Sequence, residues 1–113
     1  MKASDFKIPR HRRIDSVSIV EFAQSVVSHP EFLAEYPKIS KIDFRAARLS
    51  SSAGIAKTNS WGDTTILLSY PIFVRNQDWS LLLNTILHEV AHILTPREGH
   101  SKVWRDMAIS IGC

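Results

Sequence analysis

The sequence predicts an α+β fold: an N-terminal helix, a small three-stranded antiparallel sheet, a long apolar helix and a C-terminal helix. Three observations predict it. Residues 17–28 carry apolar side chains at helical spacing. Residues 39–70 divide into three short strand-like runs separated by turn residues. Residues 79–94 are apolar on nearly every face, as in a buried helix. The chain has 113 residues and 44% hydrophobic content, enough for one domain with a buried core.

Ser16 can cap the first helix, with Val17, Val20, Phe22, Ala23, Val26 and Val27 as its apolar stripe. His29-Pro30 ends it, and His29 reads as a helix-end residue. Glu31 to Tyr36 is expected to form a short helical turn stopped by Pro37. A first strand is expected within Ile39–Leu49, where Ile42, Phe44 and Ala46 alternate with charged neighbours. Ser50-Ser51-Ser52 is a turn signal, Gly54 to Asn59 a second strand, and Ser60-Trp61-Gly62-Asp63 a hairpin turn. Thr64 to Tyr70 is the clearest strand, ended by Pro71. Short connections suggest an antiparallel meander. Asp78 should cap the long helix, and Ser101 a final helix near 101–111 whose apolar side is Val103, Trp104, Met107, Ala108 and Ile111. Trp79 and Trp104 are expected to be core anchors.

Charge is unevenly distributed. Residues 1–13 carry Lys2, Lys7, Arg10, Arg12 and Arg13 against Asp5, a net of +4, whereas the other 100 residues carry nine basic and ten acidic groups. We therefore divide the chain into a basic arm, 1–13, and a domain, 14–113. Such an arm either binds nucleic acid through its phosphates or is a solubilising, partly disordered end. The stretch after it is not apolar enough for a secretory signal, and no run of about 18 apolar residues marks a membrane span. A sole cysteine, Cys113, cannot form an intrachain disulfide, which fits a reducing compartment. A cytoplasmic, DNA-associated, monomeric protein without membrane contact is expected.

The long helix carries His88-Glu89-Val90-Ala91-His92. Four residues apart on a helix, the two histidines project from one face. Two imidazoles so placed can share one Zn²⁺, and the glutamate between them can take a proton from a water that the metal has acidified. Shuffling this composition would produce the pattern about 1% of the time. The apolar surroundings sharpen it, since buried imidazoles and a buried carboxylate are costly unless paired or holding a metal.

A catalytic zinc site needs a third protein ligand and one open position. Glu98, His100, Asp106 and Cys113 lie downstream. Thr95-Pro96 should end the helix, Arg97-Glu98-Gly99 should turn the chain with Gly99 at positive φ, and His100 would then return over the first two histidines. His100 is the favoured third ligand and Glu98 its rival. Imidazole sites also accept Mn, Co or Ni, so the pattern does not fix the metal. An extended peptide could add as a strand to a sheet edge beside such a helix, with Thr64 to Tyr70 the candidate edge.

From about Ile42 to Gly112 the chain resembles the SprT-like, or Spartan, zinc metallopeptidases. The resemblance rests on Arg45-Ala-Ala-Arg48 leading into Ala53-Gly54, Ile66-Leu67-Leu68-Ser69-Tyr70-Pro71, Thr85-Ile86-Leu87-His88-Glu89-Val90-Ala91-His92, Arg97-Glu98-Gly99-His100, Trp104 and Ile111-Gly112. It implies a zincin-like minimal metalloprotease fold, one zinc ion on His88, His92 and His100, Glu89 as the catalytic base, and action on DNA-associated or DNA-crosslinked proteins. Many members carry a C-terminal extension with paired cysteines, which this sequence lacks. DNA contact would then fall to Lys7, Arg10, Arg12 and Arg13 of the arm, to Arg45 and Arg48, or to a partner. Asp106 is a possible orienting carboxylate for the histidines. Two further readings compete: a non-catalytic nucleic-acid-binding module with a structural zinc, and a partner-regulated peptidase with no DNA binding of its own.

Overall fold

The computed structural model describes residues 1–113. Helix α1, Ser16–Val27, is capped by Asp15 rather than Ser16: Asp15 is extended, and its Oδ1 accepts the Ser18 N–H at 2.7 Å. The Ser18 hydroxyl in turn accepts the Asp15 N–H at 2.8 Å, so two otherwise orphaned donors are satisfied. Ile19, Phe22, Ala23, Val26 and Val27 are buried, while Val17, expected in the stripe, faces solvent. Helix α2, Pro30–Glu35, begins one residue earlier than expected. His29 caps it, its Nδ1 accepting the Glu31 N–H at 3.3 Å.

The expected strand over 39–49 is shorter. Pro37–Lys41 is a 3-10 turn that buries Ile39, and strand β1 spans Asp43–Ala47. Strands β2, Gly54–Thr58, and β3, Thr64–Ser69, lie close to expectation. The sheet is mixed, not an antiparallel meander. Its order is β1-β3-β2, with β1 parallel to β3 (Phe44 opposite Ile66) and β2 antiparallel to β3 (Ile55 opposite Leu67). The segment after β1 carries the chain past the place β3 will fill. Ser69 fastens it there, donating from Oγ to the Leu49 carbonyl (2.8 Å) and from N–H to the Ala53 carbonyl (2.9 Å). The composition explains the order: β3 (TTILLS) has no charge and buries Ile66 and Leu68 completely, whereas β1 and β2 carry Asp43, Arg45 and Lys57 and take the edges. β3 is thus the central strand and cannot be the free edge that was expected of it.

Pro71 does more than end β3. It occupies the first turn of a helix that periodicity did not reveal, α3, Tyr70–Asn76. A proline there lacks only an N–H that would be unpaired anyway. Gln77, at φ 53°, closes α3, and its side chain bonds the Ile14 N–H and carbonyl at 2.8 and 2.9 Å.

Helix α4, Trp79–Leu94, starts at Asp78, whose Oδ1 accepts the Leu81 N–H at 3.0 Å. It buries Leu82, Leu83, Ile86, Leu87, Val90, Ala91 and Ile93 in one core with α1 and the sheet. Helix α5, Lys102–Ser110, follows. Ala108 and, just past it, Ile111 are buried, but Val103 is mostly exposed.

Residues 1–13 lie against the body. Phe6 is in the core, edge-on to His29 and Phe32, and the Trp79 indole N–H donates to the Arg12 carbonyl at 2.9 Å. No helix is long and apolar enough to cross a membrane.

Candidate metal centre

α4 holds His88, Glu89 and His92 in its C-terminal half, where buried Leu87, Val90 and Ala91 fix the backbone against the core. The rings of His88 and His92 lie on one face, 5.0 Å apart. The helix stops at Thr95, whose Oγ1 donates to the Ala91 carbonyl at 2.7 Å, competing with helix continuation one residue before Pro96. Two residues then reverse the chain: Gly99, as expected, at φ 56°, and also Arg97 at φ 68°. The reversal returns His100 to α4, where its Nε2 lies 3.1 Å from Nε2 of His92 and 3.3 Å from Nε2 of His88.

The three histidines present ligand atoms that all lie within 4.8 Å of one another. Nitrogens at 2.0–2.1 Å from a tetrahedral ion are separated by about 3.3 Å. The two ring contacts match that spacing, so the donor set fits a single tetrahedral metal ion. Burial lowers the pKa of His88, with a smaller contribution from His100; burial, then His88 and His100, lower that of His92. Both imidazoles are thereby biased to the neutral form that a metal requires.

Glu89, between the two helix histidines, lies beneath β2 at Gly54 and shares the lining of one cavity with His88 and of another with His92. It is 6% exposed, its Oε2 has no hydrogen-bond partner, and burial pushes its pKa up to about 7. Sequence reasoning missed why it fits there. A Cβ on Gly54 would stand 3.1 Å from Glu89 Cγ and 3.0 Å from Thr85 Cγ2. Gly54 therefore lets β2 ride directly over the glutamate. The available signal was a glycine at the start of a strand, which often marks a close backbone approach.

Trp104 is not a plain core anchor. Its ring lies 4.7 Å from His88, 5.1 Å from His92 (stacked, 22°) and 4.7 Å from His100, and its indole N–H reaches the His88 carbonyl at 3.4 Å. Asp106, considered as an orienting carboxylate, instead pairs with Lys102 at the surface, at 2.6 Å. Glu98 accepts from the Ser101 hydroxyl at 3.0 Å and stays outside the cluster, as does Cys113, which faces Asn84.

The groove between β2 and α4 opens on both sides of Glu89. A cavity of about 280 Å³ is bounded by Ser52–Gly54, Asn84, Thr85 and His88. One of about 700 Å³ is bounded by β2, His92, Ile93 and the Thr95–Gly99 turn. The Ser69–Ala53 and Asn59–Asp63 backbone bonds show that odd-numbered residues of β2 pair with β3. The N–H and C=O groups of Gly54, Ala56 and Thr58 therefore face away from β3, along the free edge.

Arg97 borders the groove, but the basic residues expected to contact DNA fall elsewhere. Lys7, Arg10 and Arg13 are exposed on the N-terminal segment. Arg12 pairs with Glu21 at 2.5 Å, Arg45 with Asp43 at 2.7 Å, and Arg48 Nε donates to the Tyr70 hydroxyl at 3.1 Å.

A three-imidazole triangle, a buried carboxylate beside it and an open groove are the parts of a metallopeptidase-type site. The model of the SprT-like family matches residues 21–113, which include every one of these parts. No curated protein matches the chain. With most of its length covered by that match, the chain belongs to the SprT-like family, a family of metallopeptidase-type domains.

Proposed function

We propose that the protein is a zinc-dependent metalloendopeptidase in which His88, His92 and His100 hold one Zn²⁺ and Glu89 is the general base. The observation that carries this reading is the placement of Glu89: buried, unpartnered at Oε2, and flanked by the histidine triangle and an open groove. When bound, zinc supplies Lewis acidity, making a water acidic near neutral pH and polarising the scissile carbonyl. Glu89 takes the proton from that water and passes it to the leaving amine. The free edge of β2 binds the substrate in extended form, through the main-chain groups of Gly54, Ala56 and Thr58. Trp104 holds the imidazole planes. Three protein ligands beside an open groove suit a catalytic site better than a structural one, which has four.

The family resemblance makes DNA-associated or DNA-crosslinked proteins the proposed substrates. Lys7, Arg10 and Arg13 are the best-supported DNA contacts, because they are exposed and sit on an ordered segment. Arg12, Arg45 and Arg48 already have partners.

The test uses reduced, unfolded casein with zinc-loaded protein. Wild type should cut it, and chelation should stop the reaction. Glu89→Gln should keep its zinc and lose about 10²–10⁴-fold in rate. A Glu89→Gln variant as active as wild type overturns the assignment.

A further inference from the structure

Trp61 is 88% exposed, yet the backbone that carries it is firmly held. Asn59 Oδ1 accepts the N–H groups of Trp61 (2.9 Å) and Asp63 (3.0 Å), and Asn59 Nδ2 donates to Asp63 Oδ2 at 3.2 Å. The Asn59 N–H bonds the Asp63 carbonyl and the Gly62 N–H bonds the Asn59 carbonyl, both at 3.0 Å, with Gly62 at φ 86°. An exposed indole on a turn pinned this way is held where a partner outside the chain can pack on it.

The turn directly continues β2, the strand that walls the groove. Gly54 lies over Glu89, and at about 3.3 Å per residue Thr58 is about 13 Å further along, with Trp61 beyond it. A polypeptide paired antiparallel to β2, with its scissile bond at Glu89, runs its N-terminal side past Thr58 toward the indole. The segment Gly54–Thr64 carries Lys57 and Asp63 and has no net charge. Stacking platforms for nucleic acid sit in basic grooves. The exposed cations Lys7, Arg10 and Arg13 belong instead to the segment bound at the start of α4, through Arg12 and Trp79. Trp79 is about 20 Å along the helix from His92, at 1.5 Å per residue. The neutral hairpin therefore favours a polypeptide over a nucleic acid.

We propose that Trp61 is a docking point for the substrate, where an apolar or aromatic side chain of an extended polypeptide packs on the indole about five residues before the bond that is cut. This rests on the reading of the groove as a peptidase site and of β2 as the strand the substrate joins.

Two readouts test it on the zinc-loaded full chain, with reduced, carboxymethylated casein as the probe. Binding is measured on Glu89→Gln, which should hold casein without cutting it. Adding Trp61→Ala should weaken the dissociation constant about tenfold, while adding Trp61→Phe should restore most of the affinity. Cleavage sites mapped by mass spectrometry in the wild-type background should show apolar residues enriched four to six positions before the cut, and Trp61→Ala should erase that enrichment. Equal casein affinity with and without the indole overturns the proposal, as does failure of either protein to bind casein. So does an oligo(dT) strand that binds through Trp61 while casein does not, since the indole would then be a base-stacking platform. If casein binds through Trp61 but is never cut, the docking point stands and the peptidase reading fails.

Discussion

Glu89 is 6% exposed, and its Oε2 has no hydrogen-bond partner. Burial raises its pKa from 4.5 to about 7. In metal-free protein the folded state thus prefers the protonated carboxyl. Its contribution to stability is fully present below pH 4.5 and is lost as pH rises through 7. A shift from 4.5 to 7 corresponds to about 3 kcal/mol. Glu89→Gln keeps the shape and removes the titration. With a chelator present, the variant's stability relative to wild type should therefore rise by about 2–3 kcal/mol between pH 5 and pH 8. For a chain of this length that is a relative gain of about 10 °C in Tm. Urea unfolding of both proteins at pH 5, 6, 7 and 8 measures it. Saturating zinc should shrink or reverse the gap, because a nearby cation favours the carboxylate. Parallel stability curves for the two metal-free proteins across this range would refute the account of Glu89 as a buried, unpaired carboxyl.

Gly54→Ala should push the Glu89 side chain aside, since the new Cβ meets Glu89 Cγ at 3.1 Å and Thr85 Cγ2 at 3.0 Å. Casein hydrolysis should fall more than zinc affinity does, with about 1–3 kcal/mol lost in urea unfolding. Trp104→Ala removes the ring that touches all three histidines and should weaken zinc binding about 10- to 100-fold, read by competition with a chelating dye. Neutralising Lys7, Arg10 and Arg13 together should lower the salt dependence of DNA binding by up to about three units of log–log slope. Substitution is the cleaner test, because deleting residues 1–13 would also strip Phe6 from the core.

The site was more legible in the sequence than the sheet around it. Helical spacing puts His88 and His92 on one face, and a proline stop and a glycine turn favoured His100 over Glu98 for the third position; the fold brings those three histidines together. Pairing order is not local. Nothing in the strand-like runs themselves states that the chain crosses over after β1 and leaves room for β3, although the charges on β1 and β2 hint at which strands take the edges. α3 was hidden because Pro71 both stops a strand and starts a helix. Trp104 looked like core because an apolar helix position does not say what packs on it, and that depended on the turn bringing His100 back. The closeness of Gly54 to Glu89 joins residues 35 positions apart, which only the folded chain makes visible.

The central claim is that three imidazoles form a centre open to the β2 groove. Zinc-edge X-ray absorption on protein loaded with one equivalent of zinc tests it directly. The account predicts three imidazole nitrogens at about 2.0–2.1 Å and one further light atom. A sulfur at about 2.3 Å, which would bring in Cys113, or only two imidazoles would contradict it.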